Sequence, residues 1–210
     1  MNYKNADKQF IRMIKGTKGM KKLFLILCIA LTIIFSKANV IQANDFAENT
    51  ANTRIAASLY MLNDLGQRDV IALLKGQNVT GKPIRIMFRN LAIYGAGDCE
   101  AFTTKTKAGS LVIFINEEHK DAPLEAIACL IAHESQHHTM TNTKQEELRA
   151  WLKEVTTWNA FVRKDPLVAS SNHPLIKREN KISKLYSRDN GRGAAIEQVI
   201  AQNPVYAGLN

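Results

Sequence analysis

A buried helix that ends in three ionisable side chains constrains this chain more than any other segment. We predict that the helix runs from Pro123, which suits a first helical turn, to about His138. Its middle is apolar, as is typical of a buried helix, at Ile127, Leu130 and Ile131. The ionisable side chains lie in the string His133-Glu134-Ser135-Gln136-His137. Burying three such groups together is costly without a partner, so we expect one, such as a metal ion.

The spacing of the two histidines favours a metal site. His133 and His137 are four residues apart, so on a helix their rings project from one face and can reach the same ion. Catalytic zinc takes three protein ligands and keeps one position for water. Glu134 lies beside the rings, where a carboxylate can take the proton of that water and pass it to a leaving group. The pattern therefore favours amide or ester hydrolysis, and the alternative is a surface or capping histidine pair.

A third ligand is required, and two glutamates begin the next predicted helix, residues 144–162. The apolar stripe of that helix consists of Leu148, Trp151, Val155, Trp158 and Val162. At about 100° per residue, Glu147 lies about 50° from the centre of this stripe and Glu146 about 150° from it. We therefore predict that Glu147 faces the core and binds the metal, whereas Glu146 faces solvent. The helix dipole alone would also favour a glutamate at either position.

The string Leu130 to His137, followed by Glu147-Leu-Arg-Ala150, resembles the gluzincin branch of the zincin metallopeptidases. The resemblance implies that His133, His137 and Glu147 bind one zinc ion and that Glu134 is the general base. It also implies that the strand 111–115 is the sheet edge along which an extended peptide substrate lies.

The sequence departs from the gluzincin pattern at two points. Many gluzincins place an aspartate four residues after the glutamate ligand to orient a histidine, and here that position is Trp151. The orienting group must then come from elsewhere or be weaker. The spacing between the two motifs is also short. With these two departures, the chain resembles small exported bacterial zincin-like proteins more than the large peptidases of the family.

The rest of the chain predicts an α+β fold. We expect a small zincin-like domain with a short, mostly antiparallel sheet packed on the active-site helix and further helices C-terminal to it. Strands are predicted at 83–89, 100–107 and 111–115, the last two as a hairpin. Further helices are predicted at 51–65, 69–74, 174–185 and 194–202.

The first 43 residues are predicted to be a targeting segment. They hold eight of the 28 basic residues and one of the 19 acidic residues, so the remainder is nearly neutral and gives no reason to expect nucleic-acid binding. Lys21 and Lys22 precede the apolar run 23–35, which is short for a membrane span, and cleavage is expected after Ala43. We predict an exported domain over residues 44–210, secreted or periplasmic. The alternative is an uncleaved signal anchor, through which alone the protein would contact a membrane.

Several other polar residues have a less specific pattern. Cys99 and Cys129 form either one disulfide, as export permits, or two unrelated buried thiols. An oxyanion-stabilising group would complete the site, and the downstream candidates are Tyr186, Tyr206 and His173, each of which also suits a packed or surface role. Solvated positions are expected for His119, His138 and the charges between Lys177 and Lys184.

These observations predict an exported zinc hydrolase, a metallopeptidase that acts on peptides or cell-envelope substrates. One alternative is a non-catalytic zinc-binding interaction, inhibitor or immunity module that retains the fold. Another is a membrane-tethered structural protein with a fortuitous motif.

Overall fold

The computed structural model describes residues 45–141 and 143–209, except for the side chain of Val205. The predicted targeting segment, its apolar run and the expected cleavage position lie outside these residues. Within them, no helix is both long and apolar enough to cross a membrane.

The described chain is an α+β structure, as the sequence predicts. Six α-helices are present in this part of the chain: α1 (Thr53–Asp64), α2 (Arg68–Leu74), α3 (Leu124–Glu134), α4 (Lys144–Lys164), α5 (Pro174–Ser187) and α6 (Ala194–Gln202). Three strands, β1 (Arg85–Arg89), β2 (Ala101–Lys105) and β3 (Leu111–Asn116), form one sheet. Every helix and strand predicted after the targeting segment is found within a few residues of its predicted bounds.

The sheet is mixed, with the strand order β1-β3-β2. The predicted hairpin is confirmed, because β2 pairs antiparallel with β3, but β1 pairs parallel with β3. The expectation of a mostly antiparallel sheet is therefore wrong. The placement of 111–115 at the sheet edge is also wrong, because β3 is the central strand. Its unbroken apolar run explains this position: Leu111, Val112 and Ile113 are all buried, as in a strand covered on both faces.

The main core lies against α3. One face of the sheet contributes Ile86 and Ile113, which pack in the same hydrophobic cluster as Ile127 of α3. Helices α1 and α4 also contact α3, and every residue of α3 from Ala126 to Glu134 is buried. The helix that carries the histidine motif is thus enclosed along most of its length.

Helix α4 has two buried faces. Trp158 and Phe161 belong to the main core, whereas Val155 belongs to a second hydrophobic cluster with Ile182 of α5 and Ile196 of α6. Leu148 and Trp151 pack against that second cluster. The apolar stripe seen in the sequence therefore combines residues of two different cores. Its centre does not mark a single buried face, so it is a poor reference for the orientation of the glutamates at the start of α4.

Candidate metal centre

The histidine motif spans the end of α3 and the turn that follows it. The α-helix stops at Glu134, and residues Ser135–Thr139 continue as a 3₁₀ helix in which His137 is non-helical (φ −78°, ψ 16°). The prediction of one continuous helix to about residue 138 is therefore only partly right. The chain then reverses through Met140, which has a left-handed backbone (φ 56°), and α4 begins after its capping residue Thr143. This tight reversal accounts for the short spacing between the two motifs.

The two predicted histidine ligands are brought together. The ring centroids of His133 and His137 are 5.3 Å apart, and His133 and Glu134 are only 7% and 5% exposed. Potential metal-ligating atoms of His133, Glu134 and His137 all lie within 4.8 Å of one another.

Glu147 lies opposite both rings, at the position expected of a third ligand. Its carboxylate oxygens are 3.9 Å from Nε2 of His133 and 3.7 Å from Nε2 of His137. These distances are too long for hydrogen bonds but close to the separation of about 3.3–3.5 Å between two ligands of one tetrahedral zinc ion. Burial raises the pKa of Glu147, and the two histidines only partly oppose this effect.

Glu146 is fully buried, so the prediction that it faces solvent is wrong. Its Oε1 is 2.9 Å from Nδ1 of His137, and its Oε2 accepts hydrogen bonds from the Thr139 hydroxyl (2.5 Å), the Thr141 backbone N–H (3.0 Å) and the Thr141 hydroxyl. Burial opposes the charge of this carboxylate, but the hydrogen bonds dominate and lower the pKa of Glu146 to about 2. Glu146 thus contacts the Nδ1 side of the His137 ring, opposite the Nε2 that faces Glu147.

Glu154, which was not among the site residues predicted from the sequence, supplies the corresponding support for His133. Its Oε2 is 2.9 Å from Nδ1 of His133, and the side chain is completely buried. Burial opposes the charge, but Arg178 and His133 outweigh it and lower the pKa of Glu154. Position 151 lacks the orienting acid of the gluzincin pattern, but Glu154, one turn later on α4, contacts the histidine ring instead. The spacing Glu146-Ala150-Glu154, with a small residue between two acids on one helix face, is the signal that would have revealed this role.

The two supporting carboxylates leave Nε2 of each ring available for a metal. A carboxylate accepts only from a protonated Nδ1, so His133 and His137 present the Nε2 lone pair toward Glu147. Burial lowers the pKa of His133. The charge of Glu154 and its hydrogen bond to the ring together outweigh burial, so the pKa of His133 is raised. The donor set of two imidazoles and one carboxylate fits catalytic zinc.

Glu134 is oriented by a residue of the sheet. The hydroxyl oxygen of Thr103 lies 2.9 Å from both the backbone oxygen and Oε2 of Glu134. Thr103 is on β2, opposite Ile113 of β3, and therefore on the sheet face that points toward α3. This contact fixes the carboxylate of the predicted general base beside the two rings.

Three other histidines differ from expectation or have structural roles. His119 is buried and its Nε2 contacts Glu100, and His138 is partly buried, so neither is the solvated residue predicted. Burial lowers the pKa of His138, and Arg149 adds to this effect. His173 caps α5, because its Nδ1 accepts a hydrogen bond from the Leu175 backbone N–H (3.2 Å). None of these three side chains belongs to the cluster around Glu147.

Among the three predicted oxyanion stabilisers, Tyr206 has an electrostatic link to the site. Burial raises the pKa of its phenol, and the charge of Glu147 is the next cause. Its hydroxyl accepts a hydrogen bond of 3.4 Å from the indole N–H of Trp151. Tyr186 instead packs near Gly191, where an added Cβ would lie 3.0 Å from its ring.

The two described cysteines are unbridged. Cys129 is fully buried in α3, whereas Cys99 is partly exposed. Burial raises the pKa of both thiols. The alternative of two unrelated thiols therefore holds in this structure.

Comparisons of the chain with protein-family models, with curated proteins and with solved structures found no match. The resemblance to gluzincins is carried by the two short sequence motifs alone.

Proposed function

We propose that this protein is an exported zinc-dependent hydrolase with a zincin-like fold, and specifically a metallopeptidase. The observation that supports this most directly is the arrangement of His133, His137 and Glu147. Both Nε2 atoms face the carboxylate of Glu147, while both Nδ1 atoms are held by buried carboxylates. A chance histidine pair would not require this support on both rings.

The residues around the site suit hydrolysis by an activated water molecule. Zinc, when bound by His133, His137 and Glu147, supplies a Lewis acid that polarises a carbonyl and acidifies water. Glu134, held by Thr103, is placed to accept the proton of the attacking water and to deliver it to the leaving amine. The phenol of Tyr206, whose pKa is raised by burial and by the charge of Glu147, is the candidate donor to the oxyanion of the tetrahedral intermediate.

The site supports an extended peptide as the substrate class. Strand β2 is at the sheet edge and pairs with β3 alone among the described strands. Thr103 of β2 contacts Glu134, so this edge lies beside the proposed general base. A peptide can add to such an edge through backbone hydrogen bonds, and β2 therefore replaces the central strand β3 as the proposed substrate-binding strand.

Metal analysis of the purified protein tests the proposal first. We expect one zinc ion per chain, lost in His137→Ala and retained in His138→Ala, the neighbouring histidine that lies outside the cluster around Glu147. Absence of stoichiometric zinc would overturn the proposed metal site.

Glu134→Gln then separates catalysis from binding. It should abolish hydrolysis of a labelled casein while zinc remains bound, because the amide cannot accept the proton of water. If the unmodified protein and this variant both bind zinc but hydrolyse neither labelled casein nor a peptide library, the protein is a non-catalytic zinc-binding module.

A further inference from the structure

Arg178 of α5 lies directly behind the carboxylate that holds His133. Its Nη2 donates to Oε2 of Glu154 at 3.2 Å, and its Nη1 donates to Oε1 of the same carboxylate. Nη1 also donates to Oε1 of Glu179 at 3.0 Å. Oε2 of Glu154 thus receives both Arg178 and His133, so the guanidinium and the imidazole are joined through one oxygen atom.

This geometry fixes the carboxylate in its plane. A guanidinium that donates two hydrogen bonds to both oxygens of a carboxylate restricts its rotation, which a single point charge such as an ammonium does not do. Glu154 is completely buried, so its charge would be costly without a cation beside it. Arg178 supplies such a cation, and its own side chain is 24% exposed.

Trp151 completes the enclosure of the guanidinium. The Cζ atom of Arg178 is 5.7 Å from the centroid of the Trp151 indole, a distance at which a cation is attracted to the ring. Trp151 occupies the position at which the resembled family often has an orienting acid. Here the acid is one turn further along α4, and the aromatic residue holds the arginine that supports it.

We propose that Arg178 is a positioning residue of the metal centre, which acts through Glu154 to fix the orientation of His133 and thereby strengthens zinc binding. The inference rests on the proposed zinc site and adds to it a contribution from α5, a helix that supplies no ligand. Removal of an outer partner of a metal-binding histidine typically weakens metal affinity about 10–100-fold, and we expect a loss in this range for Arg178→Gln. Arg178→Lys keeps the charge but not the two-pronged contact, so we expect an intermediate loss.

The test measures zinc affinity of the full chain by competition with a chromophoric chelator, for the unmodified protein, Arg178→Lys and Arg178→Gln. Lys153→Gln is the matched control, since it removes a cation that is adjacent to Glu154 in sequence but pairs with the exposed Asp69. The melting temperature in excess chelator reports on the fold of each metal-free variant. The visible spectrum of the Co²⁺-loaded proteins reports on ligand geometry and should change in the Arg178 variants and not in the control.

A double substitution tests whether Arg178 acts through Glu154. In a Glu154→Gln background, Arg178→Lys should cause no further loss of zinc affinity, because the link to His133 is already broken. If Arg178→Lys and Arg178→Gln both keep the zinc affinity and the cobalt spectrum of the unmodified protein, this inference is overturned and the proposed zinc site is not. A further loss in the Glu154→Gln background would also overturn it, because Arg178 would then act by another route. Failure of the unmodified protein to bind zinc would overturn the proposed function, and this inference with it.

Discussion

Two neighbouring glutamates show how much the surroundings of a side chain decide its role. Glu146 is fully buried and receives hydrogen bonds from Thr139, Thr141 and His137. Glu147 is 14% exposed and stands 3.7–3.9 Å from two imidazole nitrogens. The carboxylate of Glu146 is therefore stabilised by hydrogen bonds within the fold, whereas for Glu147 we propose that a bound metal ion has this role.

Substitution of each glutamate by glutamine should give opposite results. Glu146→Gln places an amide group against several hydrogen-bond donors, so we expect the metal-free protein to lose about 2–3 kcal/mol of stability. Glu147→Gln should leave the stability of the metal-free protein unchanged or slightly higher, because burial already disfavours that charge. It should weaken zinc binding by more than the roughly 10–100-fold that loss of an outer partner causes. Urea denaturation in excess chelator and zinc competition measure the two effects, and a reversed pattern would show that Glu146 is the ligand.

Glu179 allows a prediction about pH. Its Oε2 is buried and has no hydrogen-bond partner in the described part of the chain, and Arg178 and Glu154 are the charged groups in contact with its surroundings. Burial, followed by the charge of Glu154, raises the pKa of Glu179 well above its ordinary value. A carboxyl group with a raised pKa in the folded state contributes stability below its unfolded pKa, and this contribution is lost as the pH rises toward the folded pKa.

Glu179→Gln removes that dependence, since the amide resembles the protonated acid. The stability of the variant relative to the unmodified protein should therefore increase with pH above the ordinary glutamate pKa, by up to about 1.4 kcal/mol per pH unit. Thermal unfolding in chelator between pH 5 and 8 measures this difference. The exposed Glu197→Gln is the control and should show no such trend. A constant difference across this range would mean that Glu179 is ionised in the folded protein.

At the scale of elements, α4 shows which features of the structure the sequence predicts and which it does not. The bounds of the helices and strands follow from periodicity, caps and turns, because these are local signals. The burial of Glu146 and Glu154 does not follow, because α4 packs on two sides and its α3 side is lined by two acids and Ala150. A method that counts only apolar residues assigns this face to solvent. The choice of Glu147 as a ligand stays a prediction that the observed geometry supports but periodicity alone did not justify.

Ala150 tests the role of this face of α4. It is fully buried and lies one helical turn from both Glu146 and Glu154, on the same side of the helix. Ala150→Leu should therefore overpack the α3–α4 contact, with a stability loss of about 1–3 kcal/mol. It should also weaken zinc binding, because both supporting carboxylates move with α4. Thr156→Leu, an exposed position on α4, is the control, and equal stability and zinc affinity in the two variants would show that this face tolerates added volume.

At the scale of the whole molecule, the site joins side chains from four elements of the fold. Strand β2 contributes Thr103, α3 contributes His133 and Glu134, α4 contributes Glu147 and Glu154, and α5 contributes Arg178. The sequence identifies the motif on α3, but only the packing of these elements brings the supporting residues to it. Because α3 is buried between them, the proposed ion at its end would connect elements on both sides of the helix.

Zinc should consequently stabilise the fold as a whole and not only the turn after α3. A ligand that binds only the folded state at 100 times its dissociation constant adds about 2.7 kcal/mol to the stability. We expect zinc to raise the melting temperature of the unmodified protein by several degrees, and to slow amide hydrogen exchange in α4 and α5 as well as in α3. The matched variant Glu147→Gln should lose both effects. Protection confined to residues 133–139 would show that the ion is held by a local motif, without the contribution of α4 and α5 that the contacts of Glu154 and Arg178 predict.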